Sequence, residues 1–241
     1  MSQFRRVRGQ TLAALVCCLA APAAEQPTTL PALTGFPFSN ETLHYTLTWP
    51  SGLSLGEAAM TATRSSTEWS FDLYVKGAVP GFEVADHYHA TATPDLCAIT
   101  FDRQFTHGSR KSEEHIEFDP HAGVARRATV GGGKSTVAIP SCARDALTFL
   151  YYARRELGQG RVAPREDVLI GSAYQVRLDY KGAQTIKVND KKAEADRVVA
   201  TVNGPASAIT FEMFFARDAA RTPLLISAPL SLGMFSMELA R

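Results

Sequence analysis

Two histidines one residue apart, His87-Tyr88-His89, are the part of the chain that looks most like chemistry. They sit in Val84–Thr93, a segment that alternates like a strand, and in an extended strand Glu83, His87 and His89 share one face. Two imidazoles and a carboxylate are a donor set that zinc accepts. The water-facing side of an ordinary strand has the same composition, however, and no further ligand follows at a recognisable spacing. Glu83, His87 and His89 are therefore an outline of a metal site, and no cofactor is expected. Lys111, Glu113, His115 and Glu117 read more simply as the wet face of another strand.

Gly131-Gly132-Gly133-Lys134-Ser135-Thr136 resembles the end of a phosphate-binding loop. That motif needs a glycine five positions before Gly133, where Ala128 stands, and a following helix to face the phosphate. Val137 and Ile139 are strand-like and Pro140 intervenes, so a glycine-rich hairpin loop is the expectation. His-Glu-x-x-His, Ser-x-x-Lys and Gly-x-Gly-x-x-Gly are absent. No catalytic residue is singled out. A hydrolase or metal-dependent enzyme with a dispersed site is the alternative function, because distant residues can assemble without a local motif.

The elements that would carry these residues are mostly strands. Leu43, Tyr45, Leu47 and Trp49 alternate with Thr42, His44, Thr46 and Thr48; Trp69, Phe71, Leu73 and Val75 alternate with Ser70, Asp72, Tyr74 and Lys76. The same period recurs at Tyr174–Tyr180, Ile209–Phe215 and Phe235–Leu239, and less clearly at Ile99–Phe105, His115–Phe118, Ile186–Val188 and Val198–Val202. Pro80-Gly81, His107-Gly108, His121-Ala122-Gly123, Lys181-Gly182, Asn189-Asp190 and Asn203-Gly204-Pro205 read as turns. Ser141–Leu157 instead repeats apolar residues at three- and four-residue spacing, with Ser141 as N-cap and Gly158 as stop. The fold class is mainly β: a curved antiparallel sheet or partly closed β-barrel with one substantial helix at about 141–157.

Compartment comes from the N-terminus. Arg5, Arg6 and Arg8 precede a short apolar run, Leu12–Ala21, and Ala21-Pro22-Ala23 offers a signal-peptidase site, so residues 1–23 are expected to be a cleavable signal peptide and the protein periplasmic or otherwise in the cell envelope. Residues 24–35 form a Pro-rich leader, and 36–241 a single β-rich domain. Processing removes three arginines and keeps all 24 acids, so the formal charge falls from +1 to −2. That balance makes no electrostatic case for nucleic acid. No later apolar run is long enough to span a membrane. Of the four cysteines, Cys97 and Cys142 remain after processing. An oxidising compartment favours a bridge between them, and two separate buried thiols are the other possibility.

Tyr45, Leu47, Trp49, Phe211, Met213 and Phe215 all fall on inward-facing positions, more aromatic and apolar surface than one helix can cover. Either these side chains fill the interior, or a cavity beside the helix takes an apolar, lipid-like ligand. The function expected is accordingly non-enzymatic: binding of an apolar small molecule or of an envelope partner.

Three stretches carry a family resemblance. They are Glu41–Trp49 with Leu55-Gly56-Glu57-Ala58, Asp145–Arg154, and Asp218–Leu224 leading to Gly233–Leu239. In this order they resemble a family of exported bacterial proteins known only as a domain of unknown function, DUF3108, over about residues 36–240. The resemblance implies secreted or periplasmic β-rich proteins with no catalytic residue to carry over. It implies structural roles: Trp49 and Gly56 shaping the first hairpin, Asp145 and Arg154 anchoring the helix, and Pro223 beginning an edge strand.

Overall fold

The computed structural model describes residues 40–49, 52–79, 82–205, 207–230 and 233–240, all within the compact unit Leu33–Arg241. The signal peptide, the leader at 24–35 and the Pro80-Gly81 turn lie outside the described residues.

Among the described residues, alternation in the sequence becomes a single sheet of 15 strands. The first eight, β1 (Asn40–Thr48), β2 (Ser54–Arg64), β3 (Trp69–Val79), β4 (Phe82–Ala92), β5 (Ala98–His107), β6 (Arg110–Asp119), β7 (Val124–Thr129) and β8 (Lys134–Ala138), run as an antiparallel meander from the middle of the sheet to one edge. At the opposite edge the chain resumes as β9 (Arg144–Asp145) and forms α1 (Ala146–Gly158). It returns through β10 (Glu166–Ile170), β11 (Ser172–Val188), β12 (Lys191–Asn203), β13 (Ala208–Ala216), β14 (Pro223–Leu230) and β15 (Gly233–Leu239) to pair with β1. All pairings are antiparallel except β9–β10, which α1 connects in parallel.

That order forces the sheet to curl. Fifteen strands laid flat would set β8 and β9 more than about 60 Å apart at the usual strand spacing. Yet residues 139–143, an extended reach of at most about 20 Å, join them. Among the described residues no continuous ladder closes the sheet into a barrel. Its far end is tied instead by the Cys97–Cys142 disulfide, Cα atoms 4.8 Å apart, and by the Ala98 amide donating to the Ala143 carbonyl at 2.9 Å. Gly171, between β10 and β11, lies against the Glu114 carboxylate on the inner side of β6: a Cβ there would meet both its oxygens at 3.1 Å.

Helix α1 fills the hollow this curl creates. Leu147 and Tyr151 join one buried cluster with Tyr45, Met60, Phe71 and Phe101 from the first half of the sheet. Phe149, Ala153 and Leu157 join a second with Val176, Val198, Met213 and Phe215 from the second half. Tyr151 stacks on Phe71 with ring centroids 4.1 Å apart. A helix apolar on two sides is what two facing sheet surfaces require.

The helix starts later than its periodicity suggests. Asp145, not Ser141, is the N-cap: its carboxylate accepts from the Leu147 and Thr148 amides at 2.8 and 3.0 Å. Ser141 and Cys142 are held in a turn by the disulfide, and Arg144-Asp145 are committed to β9. Arg154 is fully buried and makes a two-pronged ion pair with Glu41 at 2.7 and 2.8 Å, while its Nε donates to the Ala220 and Arg221 carbonyls. Both residues thus anchor the helix.

Two further expected features differ. Lys181-Gly182 is not a turn: β11 runs through it, with a register shift between Tyr180 and Ala183 and a left-handed Gly182. Pro223 does begin a strand, but β14 lies inside the sheet. The proline is tolerated because it stands at the first strand position, beside the Phe214/Phe215 irregularity where the ladder is interrupted. The glycine-rich run is the β7–β8 hairpin, as expected, with Gly131 and Gly132 at positive φ. Gly56 is required where it is, since a Cβ would come within 2.0 Å of the Lys76 carbonyl.

Candidate functional site

The inward residues expected to meet a ligand are placed in packing. Tyr45, Met213 and Phe215 are buried in the two clusters, and Leu47 and Phe211 pack against them. Trp49 lies edge-on to Phe235 at 4.7 Å and helps close the first hairpin, its amide donating to Leu53. The Tyr45 hydroxyl donates to the Pro223 carbonyl at 3.0 Å, and burial raises its pKa. The Tyr88 hydroxyl, buried near Asp86, is pushed up to about 12.

The histidines face the other way. His87 and His89 project from the outer side of β4 and converge on Asp72 of β3: Nε2 of His87 lies 3.0 Å from Oδ1, and Nδ1 of His89 lies 2.9 Å from the same oxygen. Glu83 is not part of this group; it stands opposite Ala78 nearer the hairpin end. Among the described residues no cluster of three or more His, Cys, Asp or Glu is arranged to hold a metal ion. Asp102 continues the row, opposite His89 and bonded to Nδ1 of His115 at 2.7 Å. Both His87 and His89 are thus engaged by the one Asp72 carboxylate.

Cross-strand register builds that surface into parallel rows. His44, Ala59, Tyr74, His87, Gln104 and Glu113 stand directly opposite one another from β1 to β6. Two residues along, Thr46, Glu57, Lys76, Ala85, Thr106 and Lys111 form a second row. Between them Tyr45, Ala58, Val75, Asp86, Phe105 and Ser112 turn inward by strand alternation, so the ground between the rows is main chain. The result is an open trough of about 840 Å3 across six strands. A second hollow of about 650 Å3, sharing Thr46, Glu57 and Lys76, extends it toward the hairpin ends. In one wall the Tyr74 ring stacks on His87 at 4.0 Å and 9°, and Tyr74 remains 49% exposed.

Alternation alone placed Asp72, Tyr74 and Lys76 on one outer face. It carried no sign that Ala59, Gln104 and Glu113 stand beside them, because register between strands far apart in sequence leaves no local mark.

Comparison with known proteins adds the following. A family model described as "Protein of unknown function (DUF3108)" matches residues 44–240. No curated protein matches the chain. A solved β-barrel-like protein of the DUF1849 domain of unknown function from Brucella abortus shares the fold at TM-score 0.58 and 9% identity, over 84% of this chain and 96% of that one. A candidate lipoprotein from Parabacteroides distasonis aligns at TM-score 0.31 and 6% identity, over 86% of this chain and 96% of that one. The first likeness concerns the fold alone. No helix among the described residues is long and apolar enough to cross a membrane.

Proposed function

The chain belongs to the DUF3108 family, and from that premise we propose that it is an exported, non-enzymatic binding protein of the bacterial envelope that works through the outside of its curved sheet. One observation carries the reading: α1 occupies the hollow of the sheet, with Tyr151 and Arg154 fully buried, while a large trough stands open on the opposite face. Ligand sites are concave, with a few convergent polar groups, and the outer face offers both. The basic n-region and apolar run at the N-terminus support export.

Protein recovered from the envelope fraction of its own host, sequenced from its N-terminus and weighed by native mass spectrometry, tests this. A chain beginning at about Ala24 or Glu25 and carrying an adduct or partner supports the proposal. A chain that still starts at Met1 in the cytoplasm removes it. An apolar ligand among Tyr45, Leu47, Trp49, Phe211, Met213 and Phe215 is tried in the same experiment with a fluorescent fatty acid, whose saturable binding would move the site inward. Stoichiometric metal on elemental analysis would favour the enzymatic alternative.

A further inference from the structure

We infer that the outer trough binds an uncharged, linear oligosaccharide laid across strands β1 to β6. The inference rests on the binding-protein reading and names the ligand class for that site. Three features of the walls and floor select against other chains.

The first is charge. The two rows carry Glu57 and Glu113 against Lys76 and Lys111, and Glu57 stands directly opposite Lys76. An anionic polymer would gain nothing from a balanced wall, since it meets a carboxylate for each ammonium.

The second is polarity. Seating an acyl chain between these rows would strip water from four charged groups without replacing their hydrogen bonds, which is costly. A polyhydroxylated chain replaces them: Gln104, Glu57 and Glu113 each offer paired polar atoms, Thr46 and Thr106 add hydroxyls that donate or accept, and the two lysines add ammonium donors.

The third is the floor. Its main chain is already spent in the ladders between neighbouring strands, so an extended peptide crossing the trough would find no backbone partner. It would lose the hydrogen bonds that make strand addition favourable at a sheet edge.

What remains is a ring-built, neutral ligand, and Tyr74 supplies its platform. One face of the phenol ring rests on His87, which in turn is held by Asp72. The platform is therefore set before binding and costs little to immobilise. On its other side the cross-strand neighbour is Ala59, too short to cover the ring. Beyond Ala59 the next strand places His44 in the same row. The slot over Ala59 is two strand spacings wide, about 9.6 Å, which is room for one ring between two side chains. Along its length the trough crosses five strand spacings, about 24 Å, so successive rings can follow the first.

Mature protein, exposed to an array of neutral oligosaccharides and then titrated by calorimetry with a length series of each binder, tests this. Saturable binding should strengthen with chain length until the trough is spanned. Tyr74→Ala should weaken it about tenfold, the loss expected for one stacking platform, while Tyr74→Trp retains it. Ala85→Trp, which fills the second row, should abolish it. Tyr74 is half exposed, so Tyr74→Ala should unfold at the same temperature as the parent. No binding by any neutral glycan would overturn the inference. So would an affinity indifferent to both Tyr74→Ala and Ala85→Trp, or saturable binding confined to fatty acids or to anionic polymers. Each of those results leaves export and non-enzymatic binding untouched, whereas an unprocessed cytoplasmic chain removes the reading beneath it.

Discussion

The two halves of the sheet meet along two seams built from different chemistry. At the first, β1 and β15 pair through four residues, Tyr45 to Thr48 against Leu239 to Ser236. Where that ladder stops, side chains take over: Arg154 grips Glu41 near the start of β1, and the Tyr45 hydroxyl reaches the Pro223 carbonyl. At the second, no ladder closes the sheet, and Cys97–Cys142 with the Ala98–Ala143 hydrogen bond stands in its place. The first seam joins the chain's two ends through folded-state contacts alone. The second joins residues 45 apart in sequence by a bond that also restricts the unfolded chain. Non-covalent closure fails when one group is removed; covalent closure fails with the redox state.

Substitutions at the two seams separate these modes. Arg154→Met should have the largest effect, about 3–5 kcal/mol in denaturant unfolding, because it strands the half-buried Glu41 carboxylate without its partner. Adding Glu41→Gln should recover part of that loss in a double-mutant cycle, and independent additive losses would show that the pair is not the unit. Cys97→Ala should follow at about 2–4 kcal/mol under oxidising conditions. Reductant should bring the parent to the same stability as the variant, and a difference that survives reduction would point to lost packing instead.

Asp145 probes the second seam by pH. Burial lifts its carboxyl from the ordinary value of 3.8 to about 6 despite three helix-cap hydrogen bonds. With the folded value above the unfolded one, its contribution to stability is fully present below pH 3.8 and is lost as pH rises through about 6. The stability of the parent relative to Asp145→Asn should therefore decline between pH 4 and pH 6, and a flat difference across that window would contradict the burial argument. Tyr45→Phe should show the smallest effect, about 1 kcal/mol, for one buried hydrogen bond to Pro223. A loss as large as that of Arg154→Met would mean that the first seam depends on the hydroxyl rather than on the ion pair.

Strands were legible where large apolar residues mark every second position. Leu43-Tyr45-Leu47, Phe71-Leu73-Val75 and Phe211-Met213-Phe215 announce both the strand and its buried face. β2 did not, because its inner residues Ala58, Met60 and Ala62 alternate with Glu57, Ala59 and Thr61 at too small a contrast. The reason is visible in the fold: the first cluster packs Tyr45, Phe71 and Tyr151 with the small Ala58 and Ala62. The helix was legible from its period, but its start was not. Ser141 is as good a cap by type as Asp145, and only β9 and the disulfide decide between them.

Composition and local period thus determined that this chain makes a curved sheet and one helix, and which side chains of the strongly alternating strands point inward. These are properties of neighbouring residues, so they can be read along the chain. Tertiary structure alone decided that β1 pairs with β15, that α1 fills the hollow left by the curl, and that two rows of polar side chains from six strands align into a trough. Each depends on register between residues tens to nearly two hundred positions apart, as with Tyr45 and Pro223. Register of that kind is chosen by the packing of the whole sheet around one helix rather than by any segment of the sequence.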